Sequence, residues 1–348
     1  MDQKETTATQ SSRTQAQPWL LHSLPVNALN FCAFDMVFLQ DSGTLQENPQ
    51  GLSTGSSRKP SDNAGQLPVL IAVPNALNSG AIDIFHLPLE RRISTIPADT
   101  ASNTGMVMAV RLLISSSSGE LYAASAYEDG QVMVLVRRGR LNEQDISSSA
   151  SSSSSVPWKW EKLYSSRPHS QPVLSIDVAP SKDYFLSSSA DAVLVKHPIP
   201  CPCAVVGYLE ESPLKTVNTK HAGQQGLCIR SDGKIFATAG WDCRTRVYSC
   251  KTMKELAVLK WHQDGCYAAA FAEVAIDSAG ANENPPTMAT ESQSQPHETN
   301  GHEDTHLTRR TEGSSLAAVQ QQRNQRAQRT HWLAAGSKDG KISLWDIY

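Results

Sequence analysis

Long apolar runs are missing from this 348-residue chain. No stretch approaches the ~18–20 residues that a membrane-spanning helix needs. A disulfide framework is missing too. The seven cysteines are an odd number without framework spacing, so reduced thiols in the cytosol or nucleus are expected. Charge of one sign is not in large excess: the formal net charge is -3, which gives no reason to expect general affinity for nucleic acid. The opening M-D-Q-K-E-T-T-A-T-Q is polar and acidic where a secretory signal would be basic and then apolar. No G-x-x-x-x-G-K-[ST] phosphate loop occurs. Cys201 and Cys203 have no second pair at zinc spacing nearby and read as part of a Pro-rich loop. What is left, with 39% hydrophobic residues, is a soluble globular protein with ample core material. No catalytic residue, cofactor or metal site is expected.

The chain does contain a short periodic pattern, clearest at Gly336 to Tyr348, which read G-S-K-D-G-K-I-S-L-W-D-I-Y. Asp339-Gly340 suits the positive backbone angles of a tight hairpin, and Ile342, Leu344 and Trp345 carry the apolar strand that follows. Such a hairpin, finishing on Trp-Asp, marks a WD40 repeat, a four-stranded propeller blade of about 40–45 residues. The register recurs upstream. Asp242 stands six residues before Tyr248, Asp191 six before His197, Asp129 six before Leu135 and Ser79 six before Phe85, as Asp339 stands six before Trp345. Apolar residues at alternate places after the turn, such as Ile82 and Ile84 or Val132 and Val134, give a strand with one face against a neighbouring sheet. The register also exposes a decoy: Trp241-Asp242 falls at a turn, and Tyr248 holds the place of Trp345. The predicted class is an all-β WD40 β-propeller with about five recognisable blades.

Histidines agree with this register. His169, His221 and His262 precede inner strands expected at Val173–Val178, Leu227–Ile229 and Tyr267–Phe271. In a WD40 blade such a His bonds the turn Asp, and a Ser or Thr and the Trp complete the chain. A charge-assisted, partly buried bond of this kind contributes roughly 1.5–3 kcal/mol. The expected structural pairs are His169 with Asp191 and His221 with Asp242, the second beside Tyr248. The last blade has all four parts: His262, Ser337, Asp339 and Trp345. Elsewhere Gly240, Tyr127 or Phe85 replaces a member, so apolar packing must hold those blades.

Polar segments interrupt the blades. Residues 1–17 read as a disordered tail, and 18–348 as the propeller with low-complexity inserts at 41–66, 141–156 and 275–330. Leu316–Arg329, at the end of the last insert, has the composition of a short helix carrying Arg323, Arg326 and Arg329. Trp158 and Trp160 belong to an outer strand packed on its blade. The chain ends after the third strand of the last blade. Trp19–Leu24, ahead of a first inner strand expected at Val26–Phe34, is the candidate to supply the fourth and close the ring.

Four blocks carry a resemblance: L-P-V-N-A-L-N-F-C-A-F (Leu24–Phe34), V-P-N-A-L-N-S-G-A-I-D-I-F-H-L-P (Val73–Pro88), P-V-L-S-I-D-V-A-P (Pro172–Pro180) and F-A-T-A-G-W-D-C-R-T-R-V-Y (Phe236–Tyr248). They resemble the fungal ASTRA-associated protein 1 family and are similar to its animal relative, G-protein β-subunit-like protein 1. The resemblance implies a nuclear, non-enzymatic WD-repeat scaffold, with the cytoplasm left open as an additional compartment. Its implied partners are protein subunits: a kinase-like scaffold and the chaperones that mature PI3-kinase-related kinases, within an assembly linked to chromatin remodelling. Family members carry about two further blades before the block at Leu24, which implies an N-terminally shortened ring of about seven blades. In the full ring Trp19–Leu24 would be the outer strand of the preceding blade. The alternative is a WD40 adaptor or ubiquitin-ligase substrate receptor. Such receptors tend to carry W-D-x-R, where this chain has W-D-I-Y, F-H-L-P and Y-S-C-K.

Overall fold

A computed structural model describes residues 20–28, 31–39, 68–141, 158–200, 209–274 and 316–347. The expected tail at 1–17, the insert at 41–66, nearly all of that at 141–156, Cys201 and Cys203, and residues 275–315 of the last insert lie outside them. The chain divides into two compact units, Met1–Val178 with Lys182–Lys220, and Ala179–Ser181 with His221–Tyr348.

The first unit holds three antiparallel four-stranded sheets, each paired in chain order. They are β1 (Asp35–Phe38), β2 (Val69–Pro74), β3 (Ile82–Leu87) and β4 (Arg91–Ile96); β5 (Val107–Ile114), β6 (Leu121–Tyr127), β7 (Val132–Arg137) and β8 (Trp160–Ser166); and β9 (Val173–Val178), β10 (Tyr184–Ser189), β11 (Val193–Pro198) and β12 (Lys215–Asn218). The second unit holds a fourth sheet, β13 (Gln224–Ile229), β14 (Ile235–Gly240), β15 (Arg244–Ser249) and β16 (Glu255–Lys260). Its fifth sheet has three strands, β17 (Cys266–Phe271), β18 (Trp332–Ser337) and β19 (Ile342–Asp346). All five register turns, at Ser79, Asp129, Asp191, Asp242 and Asp339, fall between the second and third strands of their sheets. The fold is therefore of the WD40 β-propeller class, and the repeat spacing places each turn correctly.

Strand β6 shows why the sheets stack. Its sequence L-Y-A-A-S-A-Y is buried at every position. Leu121, Ala123 and Tyr127 join one core with Leu70, Ile82 and Ile84 of the first sheet. Tyr122, Ala124 and Ala126 join another with Val173 and Phe185 of the third. Side chains alternate across a strand, so a strand apolar at both parities packs a sheet on each face. Small alanines let those neighbours approach. In the second unit Ile235, Ala237, Val247 and Leu333 form the corresponding core.

The turns carry backbone strain. The residue after the turn Asp has positive φ in four sheets: Gly130 (92°), Ala192 (67°), Cys243 (64°) and Gly340 (73°). At Gly130 a Cβ would also lie 2.1 Å from His169 O, so glycine is required twice over.

Two expectations of the first blade are corrected. Val26–Phe34 is not a strand in its described part; β1 begins at Asp35. Asp35 sets that position, because its carboxylate accepts from Leu112 N at 2.6 Å and Arg111 Nη1 at 3.1 Å. Upstream the backbone is held by side chains instead: Asn27 Nδ2 donates to Asn75 O at 3.1 Å. Residues 20–24 do not form the fourth strand of the fifth sheet, nor any strand. Leu24 packs on Ile71, Val73 and Phe85, and His22 pairs with Glu90, so the segment runs along the first sheet.

The helix α1 (Leu316–Arg329) forms where its composition predicts. Its C-terminal carbonyls are capped: Trp332 Nε1 donates to Ala327 O at 3.2 Å and Thr330 Oγ1 to Arg326 O at 2.8 Å. Trp160 lies in the outer strand β8, with its indole donating to Ser94 Oγ at 3.0 Å.

Candidate functional site

Each sheet carries polar side chains behind its turn, drawn from few register places. One is four residues before the turn residue, on the second strand. Two others are four and six residues after it, on the third strand. In the last four sheets the place before the turn and the nearer place after it are cross-strand partners: Ser125 with Met133, Ser187 with Val195, Thr238 with Arg246 and Ala335 with Ser343. Either member of such a pair can therefore supply a hydroxyl to the same spot.

The third sheet builds the longest chain. His169 Nδ1 lies 3.2 Å from both oxygens of Asp191, and its Nε2 lies 2.8 Å from Ser187 Oγ. Ser187 Oγ is 2.7 Å from His197 Nε2, whose Nδ1 is 2.8 Å from the Tyr164 hydroxyl. The carboxylate fixes the direction. His169 donates from Nδ1 to Asp191, and in the tautomer that carries only this proton its Nε2 accepts from Ser187. Ser187 then accepts from His197 Nε2–H, and His197 Nδ1 accepts from Tyr164 O–H. His197 accepts at Nδ1 and donates from Nε2 in this order, as a neutral imidazole does. Burial, then the neighbouring His169, holds His197 well below its ordinary 6.5. Burial alone would raise Asp191, but the bonds from His169 and from the amides of Ser170 and Val193 outweigh it and hold the carboxyl low. Burial pushes the Tyr164 hydroxyl up to about 12. Phe185 stacks on His197 with ring centroids 4.6 Å apart.

The fifth sheet builds the same sense with an indole. His262 Nδ1 lies 3.4 Å from Asp339, and its Nε2 is 2.9 Å from Ser343 Oγ, which accepts from Trp345 Nε1 at 2.9 Å. The expected serine, Ser337, is not in this chain. It donates to Asp264 O at 3.0 Å and accepts from Asp339 N at 3.3 Å, closing the turn. The second strand has Ala335 where the third sheet has Ser187, so the hydroxyl comes from the cross-strand partner Ser343.

The fourth sheet departs further. His221 is 40% exposed and its Nδ1 stands 3.9 Å from Asp242, outside the buried network. Arg246 takes its place, donating to the two Asp242 oxygens at 3.0 and 2.6 Å. Behind it Gln224 Oε1 accepts from Thr238 Oγ1 at 2.9 Å and Tyr248 OH at 3.5 Å. Tyr248 stacks on Phe236 at 5.1 Å. Arg246 was readable from the register, four places after Asp242; Gln224 carried no such signal.

The first two sheets use other groups. Buried Asp83 accepts from Thr95 Oγ1 at 2.6 Å, Asn75 Nδ2 at 2.9 Å and Arg92 Nη1 at 3.4 Å. In the second, Ser125 donates to Tyr127 OH at 3.2 Å, and Asp129 accepts from Gln131 N at 2.9 Å.

The Asp191–His169–Ser187 order matches that of an activated nucleophile, yet its environment does not. Ser187 and His197 are wholly buried, and the hydroxyl is shared between two imidazoles with no face open to a substrate. The arrangement ties turn to strand. Two catalytic letter patterns do occur in the chain, G-L-S-T-G at 51–55 and H-E-D-T-H at 302–306. Both lie outside the described residues, in polar inserts without the flanking strand or helical periodicity those motifs need. Among the described residues no group of three or more His, Cys, Asp or Glu is arranged to hold a metal ion. Cys32, Cys228, Cys243, Cys250 and Cys266 are free thiols, and burial pushes Cys32 up to about 12.

The WD domain, G-beta repeat family matches residues 160–195, 212–249 and 327–346, which include turns of the third, fourth and fifth sheets. The ASTRA-associated protein 1 of Aspergillus niger is 60% identical over 341 residues, covering 97% of this chain and 73% of that protein. The Penicillium rubens protein of the same name is 58% identical over 350 residues, covering 98% and 75%. The mouse guanine nucleotide-binding protein subunit beta-like protein 1 is 28% identical over 258 residues, covering 73% and 69%.

Proposed function

The chain belongs to the ASTRA-associated protein 1 family, and from that premise we propose that it is a WD-repeat scaffold subunit of the ASTRA assembly. The observation that carries this reading is 60% identity across 97% of the chain to a relative bearing that name. The chemistry behind the turns supports it. Those networks bond strand to turn inside the sheets, and this leaves loops and strand edges as the parts that meet other molecules.

The finer reading has the protein act in the nucleus beside a kinase-like scaffold and its chaperones, serving chromatin remodelling and the assembly of PI3-kinase-related kinases. Affinity purification of a tagged chain from its native organism tests it. Stoichiometric recovery of the kinase-like scaffold and the chaperone subunits is expected. Recovery of the chain without them retires the proposal, and a cullin adaptor in their place would favour a ligase receptor. Fluorescence microscopy of the same tagged chain tests the compartment, with nuclear signal expected.

A further inference from the structure

The loop end of the second unit is one stitched surface. Residues 261–265 connect β16 to β17 and bond to the turns on either side. Cys243 Sγ, on the β14–β15 turn, donates to Gln263 O at 3.1 Å. On the β18–β19 turn, Ser337 Oγ donates to Asp264 O at 3.0 Å and Lys338 N to Gly265 O at 3.0 Å. A Cβ on Gly265 would lie 3.2 Å from Trp241 O and 3.3 Å from the Tyr267 hydroxyl. Three aromatic side chains therefore share this end, and all are open to solvent: Trp241 at 46%, Trp261 at 53% and Tyr267 at 41%.

Trp241 is held in place. Its indole Nε1 donates to Gln225 Oε1 at 2.8 Å and its backbone N to Gly223 O at 3.0 Å. The ring lies on the Gly223 backbone, where a Cβ would come within 2.3 Å of it. An ordered, half-exposed indole loses little freedom when a partner covers it, which is the property of an interface anchor.

Two lysines of this surface, Lys338 and Lys341, are exposed and have no ion-pair partner among the described residues, and Lys341 Nζ stands 5.9 Å from the Trp261 ring centroid. Asp242 is engaged by Arg246, and Asp339 by His262. Asp264 is the exposed carboxylate of the connecting loop. Trp261 thus has the Lys341 ammonium over its ring, and Lys338 stands on the same turn, its backbone N bonded to Gly265 O.

We propose that this loop end docks an acidic peptide segment of a protein partner, an apolar or aromatic side chain resting on Trp241 and carboxylates meeting Lys338 and Lys341. The inference rests on the reading of the chain as a protein-binding scaffold and names the surface it uses.

The test titrates the full chain with a fluorescein-labelled peptide of Asp and Glu residues around a single Trp. A Lys-substituted counterpart and a single-stranded oligonucleotide serve as comparisons. The acidic peptide is expected to bind, to weaken with salt, and to lose at least about ten-fold in affinity with Trp241→Ala. The double variant Lys338→Glu/Lys341→Glu, whose changes are confined to exposed side chains, is expected to lose as much. Absent binding, variants that bind like the wild type, or an oligonucleotide that binds more tightly than the peptide would overturn the proposal. Affinity purification separates this from the broader reading. A wild-type chain recovered without the assembly counts against the function, whereas recovery of the assembly by both variants as by wild type counts against the surface alone.

Discussion

The third and fourth sheets share one register and solve the same problem with different chemistry. Behind Asp191 the third sheet runs a chain of hydrogen bonds through His169, Ser187 and His197 to Tyr164, and those two imidazoles and the hydroxyl between them are shut from solvent. Behind Asp242 the fourth sheet uses an Arg246 ion pair whose carboxylate is 38% exposed, with a separate Gln224 cluster beneath it. A buried network depends on every member, because a broken link strands a polar group where water does not reach it. The fourth-sheet pair is less demanding on its carboxylate side, where solvent reaches Asp242, while the Arg246 side chain is only 5% exposed and keeps Glu255 within 3.4 Å. The register thus specifies where polar groups gather, and burial decides how much each one matters.

The largest effect is expected from Ser187→Ala. It removes the hydroxyl that both His169 Nε2 and His197 Nε2 use, leaving two buried nitrogens without that partner. A loss of about 2–4 kcal/mol in unfolding free energy is expected by urea titration. The matching change in the fourth sheet, Thr238→Ala, takes one donor from Gln224 and is expected to lose about 1 kcal/mol. Equal losses would mean that the two networks are interchangeable.

Acidification sharpens the contrast. His197 is held well below its ordinary 6.5, so below that pH the unfolded chain binds a proton that the folded chain refuses. Stability is then present above 6.5 and declines as the pH falls toward the folded value, by up to ~1.4 kcal/mol per pH unit. His197→Trp removes the titrating group and still offers an N–H to Ser187, as Trp345 does to Ser343. Its unfolding midpoint is expected to change less between pH 8 and pH 5 than that of the wild type, even if the larger ring lowers both midpoints. An unchanged gap would place the acid sensitivity elsewhere.

Much of this was legible in the sequence, and the failures have physical causes. The five turns, the helix at Leu316–Arg329 and the pairs His169–Asp191 and His262–Asp339 follow from local spacing, which a single chain displays. Ser343 does not stand out in the sequence, where Ser337 is the serine nearest the turn, because cross-strand pairing is not visible along the chain. Ala335 stands opposite Ser343, and reading the pair together would have found the hydroxyl. His221 has the right place before its strand, yet Arg246 sits nearer Asp242 and carries a permanent charge. The strand expected at Val26–Phe34 failed for another reason: an apolar run signals burial, but Phe31 and Phe34 are 70% and 59% exposed.

Asp242→Asn tests the rim pair. Burial opposes ionisation of Asp242, but the Arg246 hydrogen bonds outweigh it and hold the carboxyl below its ordinary 3.8. Its contribution is present above that value and lost as pH falls through the folded one, so it is constant between pH 5 and pH 8. The substitution is expected to cost about 1–2 kcal/mol, discounted for exposure of the carboxylate. High salt should narrow the difference from wild type. A larger cost than Ser187→Ala would reverse the ranking of the two sheets.

The smallest effect concerns the turns themselves. Gly130 and Ala192 occupy the same place after the turn Asp, with φ of 92° and 67°. A side chain in the left-handed region costs roughly 1–2 kcal/mol, while glycine brings extra freedom to the unfolded chain. Ala192→Gly is therefore expected to stabilise the protein by about 0.5–1 kcal/mol, read as a higher urea midpoint. The Gly130→Ala variant should move the other way and further, because its methyl would meet His169 O. If Ala192→Gly instead destabilised the chain, the strain at that turn would be outweighed by contacts of the alanine methyl, and the two turns would not be equivalent.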